Sequence, residues 1–309
     1  MHIFAGSSHP ALAESIAKEL QANMGKVTLK KFSCGERYVR YEESVRGKDV
    51  YIVQTTTQNT DEDLMELFLM CQAAKLSFAN RVHVIIPHFG YARQDRVAEP
   101  REPISAKLIA HLLEESGADH VITLDLHSDQ IQGFFSIPVD ALNARSTFAE
   151  YIESKKIAHP VVVSTDEGGA KNAKKFADTI GAELAIIHKS RPKHQEVEVV
   201  EVVGDIEGKT CIILDDMIDT AGSLTSAKRA LIARGANKEV YAVATHGIFS
   251  GPAIERMKEA AFKEVIVTDS IPNDSQLFPG LTIVPIAPLL ARVIEHVEKG
   301  ESVTDIYKK

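Results

Sequence analysis

The segment richest in potential chemistry is CIILDDMIDTAGSLTSAKRAL, at residues 211–231. An apolar run typical of a buried strand ends in Asp215 and Asp216, and the loop D-T-A-G-S (219–223) then leads into a helical pattern. Small residues and hydroxyls in such a loop let successive backbone N–H groups converge on an anion at a helix N-terminus. The two carboxylates suit the hydroxyls of a sugar. The segment is therefore predicted to hold a sugar phosphate, although strand-end acids and an ordinary helix cap would have similar residues.

Two further polar groups follow predicted strands. In DLHSDQ (125–130), Asp125 and His127 are two residues apart, so both could point toward one side of the strand mouth. A histidine with carboxylates can bind a divalent cation or contact nucleotide phosphates, although Mg²⁺ prefers oxygen ligands. Asp166 begins DEGGAK, whose two glycines allow the backbone to approach a phosphate closely. A hydrogen-bonded structural histidine and a tight strand-to-helix turn are the alternative interpretations.

Two loops carry cations. Arg93 and Gln94 follow the apolar run 82–87, and arginine can bridge nucleotide phosphates or stack on a base. The segment His188–His194 is rich in cations after a strand-like run, which would ordinarily indicate a solvated basic turn. The sequence contains no G-x-x-x-x-G-K-[ST]. Any ATP would therefore be bound without a P-loop.

The elements that must position these residues alternate between strand-like and helix-like patterns. Continuous apolar runs favour parallel strands covered on both faces, and their alternation with helices indicates an α/β fold whose ligands collect at the carboxyl ends of strands. The predicted strands are 50–54, 82–87, 121–126, 161–165, 211–216, 240–246 and 265–270, and predicted helices include 61–78, 104–116, 170–180 and 224–234.

The chain also repeats itself. VRGKDVYIVQ (45–54) and ANRVHVIIPHFG (79–90) match IEGKTCIILDD (206–216) and ANKEVYAVATHG (236–247) in order and spacing. The offset of roughly 160 residues is long enough for whole domains. The sequence therefore predicts two duplicated α/β domains with mainly parallel sheets, although two generic strand–helix–strand units could resemble each other by chance. The expected domains are 1–145 and 146–296, with a tail at about 297–309 that packs on the first.

Composition excludes several other classes of protein. The 309 residues carry a net charge of −8, which makes the chain a poor binder of the nucleic-acid backbone. Three separated cysteines without C-x-x-C fit a reducing cytoplasm, so a cytoplasmic location is expected. The N-terminus does not resemble a signal peptide, and no apolar run is long enough to span a membrane.

The segment 211–231 closely resembles the phosphoribosyl-binding motif of type I phosphoribosyltransferases. LDLHSDQIQGFFSIPVD (124–140) resembles the signature of the ribose-phosphate diphosphokinases, the phosphoribosyl pyrophosphate synthases. Other segments resemble that family in the same order, and the similarity covers essentially the whole chain. They are PHFGYARQDR (87–96), REPISAKL (101–108), STDEGGAK (164–171), HKSR (188–191) and THGIFSGPA (245–253). The resemblance implies a type I phosphoribosyltransferase-like fold.

The implied activity is transfer of the diphosphoryl group of ATP to the anomeric hydroxyl of ribose 5-phosphate, with Mg²⁺, for nucleotide biosynthesis. The resemblance implies that Lys189 and Arg191 are catalytic. The implied ATP-binding residues are Phe32, Cys34, Gly35, Glu36, Arg93, Gln94 and His127. Those implied for ribose 5-phosphate are Arg191, Asp215, Asp216, Asp219, Thr220, Ala221, Gly222 and Ser223. The implied metal ligands are His127 and Asp166, with Asp125 and Asp140 as weaker candidates.

The resemblance also implies a homo-oligomer, a hexamer in this family, in which the Phe32 segment reaches the nucleotide of a neighbouring subunit. Three positions depart from the family pattern, namely Cys34, Ser136 and Pro100. Cys34 stands where an acid or amide is common, and Ser136 stands where many members have aspartate. Two alternatives therefore stay open: a non-catalytic subunit that regulates a synthase, and a phosphoribosyltransferase.

Overall fold

The computed structural model describes residues 1–190 and 199–307. The described chain divides into two compact units. The first contains residues 1–143, 270–272 and the chain from 285 onward, and the second contains 144–269 and 273–284. Each unit has its own hydrophobic core, built mainly from buried strand residues and the apolar faces of its helices.

Strands and helices alternate along the described residues. The strands are β1 (His2–Ala5), β2 (Val27–Lys31), β3 (Arg37–Tyr41), β4 (Asp49–Val53), β5 (Arg81–Ile85), β6 (His120–Leu124), β7 (Val139–Leu142), β8 (Pro160–Ser164), β9 (Glu183–Ser190), β10 (Val199–Val203), β11 (Thr210–Ile218), β12 (Tyr241–Gly247), β13 (Glu264–Thr268) and β14 (Leu281–Val284). The helices are α1 (Pro10–Glu19), α2 (Thr60–Leu76), α3 (Ser105–Glu115), α4 (Arg145–Ser154), α5 (Ala170–Ile180), α6 (Gly222–Ala233), α7 (Ala253–Ala260) and α8 (Ala287–Lys299). In this described part of the chain, no helix is both long and apolar enough to cross a bilayer.

The first unit is built on a parallel sheet with the strand order β1-β4-β5-β6-β7. Its central strands are buried along almost their whole length, as the continuous apolar runs predict. A separate antiparallel hairpin is formed by β2 and β3. The sequence did not predict this hairpin, because its residues are half-buried or exposed and form no continuous apolar run.

The second unit contains a seven-stranded sheet with the order β10-β9-β8-β11-β12-β13-β14. All neighbouring strands are parallel except β9 and β10. The chain runs outward in one direction from β8 to β9 and in the other from β11 to β12. The boundary between β8 and β11 is therefore the topological switch point, where open α/β sheets bind their ligands.

The predicted repeat folds into the same local structure in both units. In the first, the N–H of Gly47 donates to the carbonyl of Phe78 (2.7 Å) and that of Asn80 to Lys48 (2.8 Å). In the second, the N–H of Gly208 donates to Gly235 (2.8 Å) and that of Asn237 to Lys209 (2.9 Å). Gly47 and Gly208 both have a φ near +70°, a conformation that favours glycine. The prediction of duplicated α/β domains with mainly parallel sheets is confirmed.

The division of the chain differs from the expected domains at the C-terminal end. Residues from 285 onward, which include α8, belong to the first unit and not to the second. The reason is packing: α8 lies against α1, and the carboxylate of Glu298 accepts a hydrogen bond from the Tyr51 hydroxyl (2.9 Å). Tyr307 is also tied to the first unit, because its hydroxyl exchanges hydrogen bonds with the backbone of Asn143.

A buried row of polar rings crosses the first sheet. The Tyr51 ring stacks on His83 with centroids 4.3 Å apart, and Nδ1 of His83 lies 3.0 Å from Nδ1 of His120. Nε2 of His120 lies 3.0 Å from a carboxylate oxygen of Asp140. A neutral His120 that donates to Asp140 must accept the proton of His83, so one tautomer of each ring satisfies both contacts. Burial, and to a smaller extent His120, lowers the pKa of His83 to about 4.

This lowered pKa predicts acid sensitivity of the fold. The unfolded chain binds a proton at His83 near pH 6.5, whereas the folded chain resists it until about pH 4. The free energy of unfolding therefore falls as the pH is lowered through this window. Between pH 7 and pH 5 we expect His83→Gln to lose about 1–2 kcal/mol less than the parent protein in denaturant titrations. His111→Gln, at an exposed site on α3, is the control, and equal losses in all three proteins would contradict the prediction.

Candidate active site

The phosphate-loop candidate lies at the switch point of the second sheet. β11 continues past Asp215 and Asp216 to Ile218, because Met217 and Ile218 pair with the end of β12. The predicted strand end at residue 216 was therefore too early. The hydroxyl of Thr165, which directly follows β8, donates to Asp215 (3.0 Å) and links the carboxyl ends of the two strands.

Asp215 is held in one orientation by two donors. Thr165 binds one carboxylate oxygen, and the backbone N–H of Asp216 donates to the other (2.9 Å). Burial and the neighbouring carboxyl of Asp216 raise the pKa of Asp215 well above its usual range. A carboxyl that is oriented but costly to ionise gains from a partner that donates to it. The hydroxyls of a sugar are such donors.

The loop after β11 turns sharply into α6. Ala221 has a left-handed backbone conformation (φ +62°) and is the N-cap residue, and Gly222 begins the helix. Among the described residues, no side-chain hydrogen bond caps α6, so the alternative of an ordinary Ser or Thr cap is not what the structure shows. The first N–H groups of a helix need partners, and an anion can supply them. An added Cβ at Gly222 would lie 3.8 Å from the Thr220 hydroxyl oxygen.

The turn after β12 braces this loop. The N–H groups of Ile248 and Phe249 both donate to the carbonyl of Ile218, at 2.9 and 3.0 Å. The Ser250 N–H donates to the Asp219 carbonyl (3.0 Å), and its hydroxyl donates to the Asp219 carboxylate.

Sequence reasoning gave these bracing residues no individual role. The segment THGIFSGPA (245–253), which contains them, was the signal that could have found them.

The first unit contains the same scaffold with a different loop. The first turn of α2 carries three acids, Asp61, Glu62 and Asp63, whereas the first turn of α6 carries none. The Asp63 carboxylate accepts hydrogen bonds from both the N–H and the hydroxyl of Thr57 (2.7 Å each). Negative side chains in the first turn of a helix would repel a phosphate bound there. Of these two equivalent loops in the described residues, the one in the second unit is therefore the better candidate for a phosphate.

Asp166 lies in the turn between β8 and α5, directly after Thr165, whose hydroxyl contacts Asp215. One of its carboxylate oxygens accepts the N–H of Gly169 (2.8 Å), which fixes the turn. Glu167 reaches across to His188 of β9, with Oε1 and Nδ1 2.6 Å apart. Of the predicted catalytic residues, Lys189 lies in β9, but its side chain is outside the described residues. Arg191 is wholly outside them.

The predicted metal ligands of the first unit are only partly brought together. β6 ends at Leu124, so the alternation expected for Asp125 and His127 does not apply to them. Asp125 has a left-handed φ of +39°, a costly conformation for aspartate, and its N–H donates to Leu142 (2.9 Å). His127 is exposed.

Asp140 lies elsewhere in the first sheet. It pairs with Ile122 inside the sheet and is bonded to His120, so the structure does not place it with Asp125 and His127. In the described parts of the chain, no group of three His, Cys, Asp or Glu side chains could hold a metal ion.

The predicted nucleotide-binding residues lie on loops of the first unit. Gln94 follows β5 and is tied to the start of α3, where Ser105 donates to its side chain (2.5 Å). Arg93 beside it is exposed. Phe32 is at the tip of the β2–β3 hairpin, 50% exposed, with its ring edge-on to Tyr38.

The remaining predicted residues of the Phe32 segment complete the hairpin loop. Cys34 is exposed. Gly35 has a φ of +99°, and the carbonyl of Glu36 accepts the Phe32 N–H (2.8 Å).

Comparison with known proteins identifies the family. A model of the N-terminal domain of ribose phosphate pyrophosphokinase matches residues 1–117, and one of the phosphoribosyl synthetase-associated domain matches residues 192–308. Ribose-phosphate pyrophosphokinases from Oceanobacillus iheyensis and Bacillus subtilis are each 47% identical to this chain, over 99% of it and 97% of their own length. The crystal structure of phosphoribosylpyrophosphate synthetase from Mycobacterium smegmatis matches with a TM-score of 0.91 and 44% identity, over 97% of this chain and 99% of that one.

These full-length relatives thus identify a diphosphotransferase on a duplicated α/β scaffold. The chain belongs to the ribose-phosphate pyrophosphokinase family, and it is an enzyme.

The raised pKa of Asp215 predicts opposite effects on stability and activity. Because the folded-state pKa lies above the unfolded one, stability is lost as the pH rises through the folded-state value. Asp215→Asn removes this loss, so we expect a higher free energy of unfolding at pH 8, by about 1 kcal/mol, together with a strongly raised KM for ribose 5-phosphate.

Denaturant titrations at pH 5 and pH 8, beside steady-state kinetics, measure both effects. Glu207→Gln, at an exposed turn, is the matched control for loss of a carboxylate. Loss of stability at pH 8 in Asp215→Asn would contradict the prediction.

Proposed function

We propose that the chain converts ATP and D-ribose 5-phosphate into AMP and 5-phospho-α-D-ribose 1-diphosphate, and that the second unit binds the sugar phosphate. The observation that carries the site assignment is the left-handed turn at Ala221, which opens α6 just after the strand that carries the oriented carboxyl of Asp215. The family and the full-length relatives support the reaction.

In this proposal the residues of the phosphate loop, Asp219 to Ser223, bind the 5-phosphate through backbone N–H groups. Asp215, with Asp216 beside it, accepts hydrogen bonds from the ribose hydroxyls. Their position at a switch point, with Thr165 holding Asp215, supports these roles because the carboxyl is fixed before substrate arrives. The anomeric hydroxyl then attacks the β-phosphorus of ATP in line, and AMP leaves. No described residue is assigned as a strong general base.

Lys189 and Arg191 are proposed to neutralise the charge that develops during transfer, because phosphoryl transfer depends mainly on positioning and charge stabilisation. Their support is the sequence resemblance and the place of Lys189 near the end of β9, next to the strand that leads to Asp166. Arg93, Gln94 and His127, together with Phe32, Cys34, Gly35 and Glu36, are proposed to bind ATP. The exposure of Arg93 and His127 leaves both accessible to a nucleotide.

Mg²⁺ is the proposed cofactor, and the described side chains fit an ion that is held largely by waters and substrate phosphates. The described residues form no three-residue cage, whereas Mg²⁺ commonly keeps waters and binds one or two carboxylates plus substrate phosphates. His127 and Asp166, with Asp125 as a weaker candidate, are the residues that would hold it. When bound, the ion offsets the negative charge of the triphosphate. Asp140 is not retained in this set, because it is bonded to His120.

A cytoplasmic homo-oligomer, a hexamer by resemblance, completes the proposal. The half-exposed Phe32 ring at a hairpin tip supports a role across a subunit contact, because an aromatic ring there can stack on the adenine of a neighbour. Free cysteines at Cys34, Cys71 and Cys211 support a reducing compartment.

The reaction is tested by coupled detection of AMP and phosphoribosyl pyrophosphate from purified protein with Mg²⁺–ATP. Both products should appear together, only when ribose 5-phosphate is present, in assays with and without inorganic phosphate. No AMP from folded, oligomeric protein would overturn the proposal and favour a regulatory subunit. Conversion of phosphoribosyl pyrophosphate and a base into a nucleotide would instead indicate a phosphoribosyltransferase.

The site is tested by filling the loop. Gly222 has a negative φ at the first position of α6, so Gly222→Val keeps an allowed backbone, and its side chain enters the space beside Thr220. We expect the KM for ribose 5-phosphate to rise at least about tenfold, equivalent to about 1.4 kcal/mol of lost binding, with little change in the KM for ATP. Ser226→Val, one turn further along α6, is the control. An unchanged KM for ribose 5-phosphate in folded Gly222→Val would exclude this loop as the phosphate site.

A further inference from the structure

Arg256 lies directly over the proposed phosphate loop. It belongs to α7, and its Nη1 donates to the Thr220 carbonyl at 2.9 Å. The same nitrogen would lie 3.4 Å from a Cβ added at Gly222, so the guanidinium reaches the first residue of α6. α7 follows the braced turn at Ser250, which fixes where the helix begins. Neither composition nor motif spacing indicated a role for this arginine.

The Arg256 guanidinium is not paired with a carboxylate among the described residues. Across residues 1–190 and 199–307 it makes no ion pair, and its side chain is exposed. The hydrogen bond to the Thr220 carbonyl uses one of the five donor hydrogens of the guanidinium. The loop begins with Asp219 and lies just after Asp216, and carboxylates at these positions would repel a phosphate dianion. A cation that contacts this loop offsets that repulsion.

We infer that Arg256 is a binding residue for the 5-phosphate and sets the preference of this site for a doubly charged phosphate ester. The inference rests on the proposed function, because it concerns the ligand of the same loop. Arg256 acts in two ways. Its hydrogen bond to the Thr220 carbonyl offsets the partial negative charge of that oxygen, which would otherwise repel the anion. Its remaining N–H groups and its charge are available to the phosphate oxygens.

A purely structural arginine would behave differently. If Arg256 only braced Thr220, its removal would lower stability and change kcat and both KM values together. A phosphate-binding arginine instead affects mainly the KM for ribose 5-phosphate, because its partner is present on that substrate's phosphate. It also makes binding depend on the second ionisation of the ester, which lies near pH 6.

The experiment compares Arg256→Gln and Arg256→Lys with the parent enzyme. Loss of a charge-assisted hydrogen bond should raise the KM for ribose 5-phosphate about tenfold to hundredfold in Arg256→Gln, with much smaller changes in kcat and in the KM for ATP. Arg256→Lys should recover part of the loss, because it keeps the charge but not the planar fork. Arg229→Gln, an exposed arginine of α6 that contacts Ser226, is the matched control and should bind normally.

Two further measurements separate the outcomes. Calorimetric titration with ribose 5-phosphate in the absence of ATP should show the same weakening in Arg256→Gln. Between pH 7.5 and 5.5, the affinity for ribose 5-phosphate should fall more for the parent enzyme than for Arg256→Gln. If Arg256→Gln folds, an unchanged KM for ribose 5-phosphate in that variant would overturn the inference. If only Arg256→Lys folds, an unchanged KM in Arg256→Lys would do so. If Gly222→Val weakens binding and Arg256→Gln does not, the loop assignment stands and the role of Arg256 is wrong. If neither does, the proposed site itself fails.

Discussion

The left-handed backbone of Ala221 is the constraint on which the second unit's site depends. Between Ile218 and Gly222 the chain turns from β11 into α6, and among the described residues no side chain caps the first helical N–H groups. A non-glycine residue in this conformation costs free energy, which the surrounding contacts must supply. They come from the turn after β12: two N–H groups bind Ile218, and Ser250 holds Asp219. The turn after β12 therefore holds the conformation of the loop that we propose as the phosphate site.

A difference in charge at the start of two equivalent helices explains why we propose a phosphate loop in the second unit and not at the matching position in the first. Both units repeat the glycine turn, the strand and the following helix, down to equivalent backbone hydrogen bonds at Gly47 and Gly208. The helix that follows differs in charge at its start, acidic in α2 and without acids in α6. Duplication thus preserved the parts that build the sheet, whereas the strand-to-helix loops diverged. Loops tolerate such divergence because they lie outside the packed core.

One proposed site residue carries an electrostatic cost. Asp215 has a raised pKa because it is buried beside a second carboxyl. A hydroxyl that donates a hydrogen bond to it would lower the cost of its ionised form. The buried row of Tyr51, His83, His120 and Asp140 is the opposite case. Its polar atoms satisfy one another, and its expected effect is on stability rather than on binding.

The sequence by itself determined the α/β class, the duplication and the position of the proposed phosphate loop, because apolar runs, glycine turns and D-T-A-G-S are local patterns read directly along the chain. It missed the β2–β3 hairpin, whose half-exposed residues form no apolar run, and it ended β11 too early, because pairing with β12 extends that strand. Only the tertiary structure decided that α8 joins the first unit, that Asp140 binds His120, and that Thr165, Ser250 and Arg256 contact residues of the proposed site. Each of these is a contact between residues far apart in sequence, which local spacing cannot specify.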